Sequence, residues 1–251
     1  MAMTATTPVP MWGPGSSLGR GALHLWTSGL DRSPAEVEAL ASTLSSDERE
    51  RAGRFHFERD RRRFTVGRGF LRTLLAQYLG RSAAALEFRY GPHGKPELAG
   101  RGAVSGLRFN LSHSGGRALC ALASDVAVGA DLELTRSLDN LEGLAATVFS
   151  AGELATLHAL PAPERQAAFY RCWTRKEAFI KALGDGLSCP LDRFDVTLAP
   201  GEPARLLRIA GDPDGPERWS LHSFEDGEWV GAVAVAGPID SLVGGEWPWA
   251  G

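Results

Sequence analysis

The chain has 251 residues, 43% hydrophobic and 23% charged, with a formal net charge of −3. That composition suits a globular protein of one large domain or two smaller ones; it lacks the basic excess of a nucleic-acid binder, and no apolar run approaches a membrane span. With no basic-then-apolar leader and three cysteines (Cys120, Cys172, Cys189) at no metal-binding spacing, it reads as a cytoplasmic protein with reduced thiols.

Residues 1–21 are rich in Gly, Pro, Ser and Thr and are expected to be disordered. A short strand is expected over Ala22–Thr27. Ser33-Pro34-Ala35-Glu36 is a capping box with proline at the first helical position, opening a helix that carries Val37, Leu40 and Leu44. Ser45–Glu48 offers a second helix start. Nine arginines follow between Arg49 and Arg72. They are either a solvated face or a phosphate site, because guanidinium groups grip phosphate oxygens in pairs. The helix they run into has an apolar face of Phe64, Leu71, Leu74, Leu75 and Tyr78 and ends at Gly80.

Arg89–Pro96 is a turn-rich loop. A meander is expected next: Leu107–His113, the turn Ser114-Gly-Gly, Arg117–Ala123, and a third strand over Val126–Glu133. On that third strand Gly129, Asp131 and Glu133 share one face. Two carboxylates so placed repel one another. Either arginines neutralise them, or they hold a hard divalent cation such as Mg2+. Asp139–Leu144 reads as a helical turn. Ser150 and Glu153 form another capping box, opening a helix that ends before Pro161.

Phe169–Leu183 is expected to be a helix buried on more than one side, ended by Gly184. Trp173, Glu177 and Lys181 fall on one of its faces. That face is either a solvated ion pair or a site. The chain has only three lysines, Lys95, Lys176 and Lys181, and two lie on this helix; the clustering favours a site, since a desolvated lysine amine can lose its proton where arginine cannot. Beyond it, Leu191–Leu198 alternates like a strand, and Trp219–Phe224 with Trp229–Ala236 reads as a hairpin. The last residues carry no signal. Each half has a helix ending in Leu-Gly and a later hairpin, which suggests two similar α+β lobes with a ligand between them. The divisions are 22–126 and 127–240, with a tail over 241–251.

The motifs Gly94-Lys95-Pro96, Phe109-Asn-Leu-Ser-His-Ser114, Val128-Gly-Ala-Asp-Leu-Glu133, Phe149-Ser-x-x-Glu153 and Trp173-Thr-Arg-Lys-Glu-Ala-Phe-Ile-Lys181 occur in that order. Together with Gly184–Leu191 they make residues 48–198 resemble the 4'-phosphopantetheinyl transferases of the surfactin-synthetase-activating (Sfp) type. The resemblance implies an α+β fold of two lobes related by a pseudo-twofold axis, with coenzyme A between them. It implies transfer of phosphopantetheine from coenzyme A to a serine of apo acyl or peptidyl carrier proteins, with release of 3',5'-ADP. Asp131, Glu133 and Glu177 would hold Mg2+. Glu177, or a water it polarises, would take the serine proton, and Lys181 would stabilise or protonate the departing phosphate. His113, also counted with the catalytic residues, and Lys95 would contact the coenzyme A phosphates, Pro96 and Ser112 would line its site, and Arg51 and Arg63 would hold its 3'-phosphate. Glu153 matches an acidic position of the family, so capping and function compete there. Two lobes in one chain suggest a self-sufficient monomer, and charge and hydropathy give no sign of nucleic-acid or membrane partners. A different Mg2+-dependent phosphate-ester enzyme and a non-catalytic coenzyme A-binding module are the alternatives.

Overall fold

Two long helices, each stopped by a glycine, set the architecture of a computed structural model that describes residues 18–184 and 189–248. Of residues 1–21, expected to be disordered, 1–17 lie outside the described residues, whereas Leu18 is buried and Gly19 O accepts from Ala22 N at 3.2 Å. The first half runs β1 (Ala22–Gly29), α1 (Pro34–Ala41), α2 (Ser46–Gly53), α3 (Glu58–Leu79), β2 (Phe88–Tyr90), β3 (Pro96–Leu98), β4 (Leu107–Ser114) and β5 (Arg117–Ser124). The second runs β6 (Val128–Leu134), α4 (Leu141–Val148), α5 (Ala151–Ala159), α6 (Ala162–Leu183), β7 (Phe194–Val196), β8 (Leu206–Ile209), β9 (Trp219–Asp226) and β10 (Trp229–Ala236). The order is the same in both: a strand, three helices, a small hairpin, a large hairpin. Sheet order repeats as well, β1-β5-β4 in one half and β6-β10-β9 in the other. This is the pseudo-twofold α+β fold.

Local chemistry explains the long helices. α3 and α6 each have 22 residues and end where Gly80 (φ 61°) and Gly184 (φ 85°) take the left-handed conformation that closes a helix. The capping boxes at Ser33, Ser45 and Ser150 are all formed. Strand β5 is buried on both faces: Ala118, Cys120 and Leu122 enter the core beneath α3, while Leu119, Ala121 and Ala123 face the other half. There they meet Val128, Ala130, Leu132, Val233 and Val235, so the two halves share an apolar seam. At about 25 cal/mol per Å2 of apolar surface removed from water, such a seam ties the halves firmly together.

The structure departs from the sequence reading in several places. The expected third strand of the meander leaves its sheet: β6 pairs with β10, not with β5. Its other edge faces β4, and side chains rather than backbone fill the gap. Asn110 Oδ1 accepts from Ala130 N at 2.8 Å, Ser112 Oγ from Leu132 N at 3.3 Å, and Ser114 Oγ from Leu134 N at 3.3 Å. α1 stops at Ala41, before Leu44, which is nevertheless buried. Only Phe194–Val196 of the Leu191–Leu198 segment is strand, preceded by a 3-10 turn. The segment without a signal forms a strand, β11 (Ser241–Glu246), parallel to β1. Trp247 then packs edge-on against Trp26, with ring centroids 5.6 Å apart. Ser-Leu-Val-Gly-Gly-Glu has no clear alternation, so pairing with a strand more than 200 residues away had no local trace.

Candidate active site

The site forms where α6 crosses β6 beside the edge of β4. Gly129 makes the crossing possible: a Cβ there would overlap the carbonyl of Ala178 and the amide of Ala182. The next two residues on the same face of β6 are Asp131 and Glu133, and α6 presents Trp173, Glu177 and Lys181 toward them. Lys181 Nζ lies 2.6 Å from Asp131 Oδ1 and 3.1 Å from Ser112 Oγ. Ser112 donates to the same Asp131 oxygen at 3.0 Å. Ser114 donates to Glu133 Oε2 at 2.8 Å, and the Trp173 indole also donates to Glu133.

Two carboxylate oxygens in this cluster, Asp131 Oδ2 and Glu177 Oε1, are buried without a hydrogen-bond partner. Leaving such atoms unpaired costs about 1–3 kcal/mol each. The carboxyls of Glu133 and Glu177 are held above the ordinary glutamate range, first by burial and then by their negative neighbours, although Lys181 pulls both the other way. Hard oxygen donors with unused lone pairs fit a divalent cation. Among the described residues no three acidic, His or Cys side chains are yet gathered closely enough to enclose one. The Lys181 ammonium is the positive charge that Asp131 has.

The other expected site residues divide. His113 lies on β4 with an accessible ring, its pKa lowered by the surrounding protein and then by the Lys181 charge. Pro96 opens β3 and, with Lys95, lines a cleft of about 430 Å3 between the halves, together with Arg108, Phe109, Val128 and Ala182. Lys95 Nζ is turned onto backbone carbonyls of β6 and α6. Arg63 grips Asp31 with two nitrogens, at 2.8 and 2.7 Å, beside the Gly116 turn. Arg51 is exposed, its guanidinium 5.5 Å from the Phe64 ring centre.

Three sequence signals prove to be structural. Glu153 is buried and caps α5, but it also binds Lys176 Nζ at 2.7 and 2.9 Å and the Val196 amide at 2.8 Å. Lys176, one of the two clustered lysines, is therefore a core residue. In the arginine run, Arg68 and Arg72 are buried on Glu48, Arg72 Nε at 2.5 Å from its carboxylate. Their charges outweigh the burial that would raise Glu48 and bring its pKa below the ordinary value. Conversely, Asn110 and Ser114 were given no role in the sequence reading, yet they complete the β4–β6 seam and orient Glu133. The trace they left is polar alternation, Asn-x-Ser-x-Ser, in an otherwise apolar strand.

Comparison with known proteins shows what the chain is similar to. A family model described as the 4'-phosphopantetheinyl transferase superfamily matches residues 127–234, and one for a 4'-phosphopantetheinyl transferase N-terminal domain matches residues 30–127. The chain is 45% identical over 216 residues to the 4'-phosphopantetheinyl transferase HetI of a Nostoc species, covering 86% of this chain and 88% of that one. It is 34% identical over 171 residues to 4'-phosphopantetheinyl transferase Sfp of Bacillus subtilis, covering 67% and 74% respectively. Among solved structures, an ACPS–CoA complex of Chronobacterium ammoniagenes aligns over 44% of this chain and 95% of its own, at 18% identity and a TM-score of 0.34.

Proposed function

The chain belongs to the 4'-phosphopantetheinyl transferase superfamily and is an enzyme of that kind, and from that premise we propose that it moves phosphopantetheine from coenzyme A to a serine of an apo carrier protein, leaving 3',5'-ADP. The observation that carries the reading is the junction of β4, β6 and α6. There Lys181 sits on Asp131 and Ser112 while Asp131 and Glu177 each keep a buried oxygen in reserve.

In this reading 22–126 and 127–240 are two lobes closing one cleft, and the chain acts as a monomer. Coenzyme A lies in the cleft, with Lys95, Pro96, Ser112 and His113 along it and Arg51 and Arg63 toward its 3'-phosphate. Asp131, Glu133 and Glu177 would hold Mg2+, which supplies positive charge to the pyrophosphate. The chain's own residues do the rest. The carrier serine oxygen forms a bond to the phosphorus nearer the pantetheine, and the bond between that phosphorus and the bridging oxygen breaks, so that the bridging oxygen leaves on 3',5'-ADP. Glu177, or a water it polarises, accepts the serine proton. Lys181 faces the charge that develops on the departing phosphate. Such transfers depend on positioning and charge neutralisation more than on covalent catalysis.

The test is the intact mass of an apo carrier protein incubated with this protein, coenzyme A and Mg2+, beside a Glu177→Ala control. A gain of one phosphopantetheine, lost in the control, is the expected result. No gain across acyl and peptidyl carriers would overturn the proposal; a gain surviving in the control would overturn the role of Glu177.

A further inference from the structure

Lys95 stands where a coenzyme A phosphate ligand was expected, yet its ammonium is committed to protein. Nζ lies 2.5 Å from Lys181 O, 3.1 Å from Val128 O and 3.5 Å from Ala182 O. Three carbonyls match the three donors of an ammonium. They belong to β6 and the last turn of α6, in the second half of the chain, whereas Lys95 sits on the β2–β3 turn of the first half. That turn is built to deliver it: Gly94 takes φ 78°, and Gly91 N bonds Lys95 O at 3.0 Å.

The carbonyls of a last helical turn have no partners within the helix, and that end carries partial negative charge. A half-buried cation there satisfies both needs. The same turn of α6 rests on Gly129, where the absent side chain admits its backbone. It is therefore fixed from two sides, and the side chain it projects toward Asp131 and Ser112 is Lys181.

We propose that Lys95 is a positioning residue for the transfer reaction: a latch between the halves that ties the last turn of α6 to β6 and so aims the Lys181 ammonium. The kinetic consequence rests on the transferase reading; the latch itself is a property of the free protein. It separates Lys95 from Lys181 in role: Lys95 acts through backbone, Lys181 on the reacting groups.

The scarcity of lysine makes a direct test practical, because 15N-lysine labelling of the intact chain gives only three side-chain ammonium groups. In the free protein the Lys95 ammonium is expected to be shielded from exchange with water and to stay in place when coenzyme A is added. In Lys95→Met, the amides of Ala182–Gly184 should exchange faster without any substrate. With carrier protein and coenzyme A, kcat should fall about 10- to 100-fold, the scale of a misplaced group, while KM for coenzyme A changes less than about twofold. The loss should vanish when Lys95→Met is made in a Lys181→Met background. A Lys95 ammonium that shifts on adding coenzyme A, with KM raised and amide exchange unchanged in Lys95→Met, would make it a phosphate ligand and overturn the latch. Faster exchange with unchanged kcat would also overturn it. If Lys95→Met does not fold, the labelled wild-type protein decides alone. If wild-type protein modifies no carrier, the transferase reading fails while labelling and exchange still judge the latch.

Discussion

Replacing Lys176 by methionine tests whether the most deeply buried cation among the described residues serves folding or chemistry. Its side chain is 0% exposed and that of its partner Glu153 is 1% exposed. Methionine keeps the apolar stem and removes the ammonium, with its contacts to both Glu153 oxygens and to Phe194 O at 2.8 Å. Glu153 then keeps the Ser150 and Val196 amides but no counter-charge. Removing one partner of a buried pair costs about 3–5 kcal/mol, and the two remaining amides place this case near 3 kcal/mol. For a chain of this size each kcal/mol moves Tm by roughly 2–4 °C, so a loss of about 6–12 °C is expected. Urea unfolding and a thermal scan measure it. Converting Glu153 to methionine as well should recover part of the loss, since an apolar pair fills the site without a stranded charge. Carrier modification per folded molecule should be unchanged. A stability loss below about 1 kcal/mol would refute the reasoning, because it lies under the range for a broken buried pair. So would lost activity at unchanged Tm.

Three further outcomes are expected. Gly129→Ala places a methyl on the backbone of Ala178 and Ala182, which cannot swing aside; the overpacking should cost about 1–3 kcal/mol by urea unfolding, and displacement of α6 should reduce transfer more than stability. Because burial raises the pKa values of Glu133 and Glu177, their contribution to folding is fully present below the ordinary glutamate range and is lost as pH rises through the raised values. Mg2+ relieves that penalty, so it should raise Tm of the substrate-free protein more at about pH 8 than at about pH 5.5; an equal shift at both, read by calorimetry, would contradict the carboxylate site. Trp247→Ala should cost about 3–5 kcal/mol in an unfolding titration, since Trp247 is 4% exposed against Trp26 and Phe70.

What the sequence disclosed was what leaves a local trace. Capping boxes, the Leu-Gly helix ends and the Gly-Gly hairpin depend on neighbours a few residues apart, and each was legible. Asp131, Glu133, Glu177 and Lys181 were legible because strand and helix periodicity put them on common faces. What remained hidden depends on partners far along the chain. Nothing around Glu48 or Glu153 distinguishes a capping glutamate from one that also receives a buried cation, and nothing around Lys95 says whether its ammonium meets phosphate or carbonyl. Lysine scarcity marked Lys176 and Lys181 alike, although one is buried on Glu153 and the other lies on Asp131, because a buried structural cation and a candidate site cation leave the same mark on composition.

The internal repeat separates those two kinds of residue. The register fixes the correspondence: Asp131 faces Ala232, three residues into β10, and Trp26 faces Cys120, three residues into β5. Glu133 and Ser28 correspond in the same way, facing Val230 and Ala118. Counted back from the terminal leucines of α6 and α3, Glu177 matches Thr73, Lys181 matches Gln77 and Lys176 matches Arg72. The buried cation is therefore kept in both halves, each time on the third-position glutamate of the preceding capped helix, Glu153 or Glu48. The carboxylates and the site lysine are kept in one. Where β4 offers hydroxyls to the open edge of β6, the matching edge of β1 is covered by β11, and Trp247 packs on Trp26. The first half thus turned its cleft into core, while the second kept charge there that folding alone would discard. Among the described residues, unpaired buried carboxylate oxygens occur at one of the two equivalent places; they are a cost that the fold itself does not require, and the proposed transfer at that place would account for it.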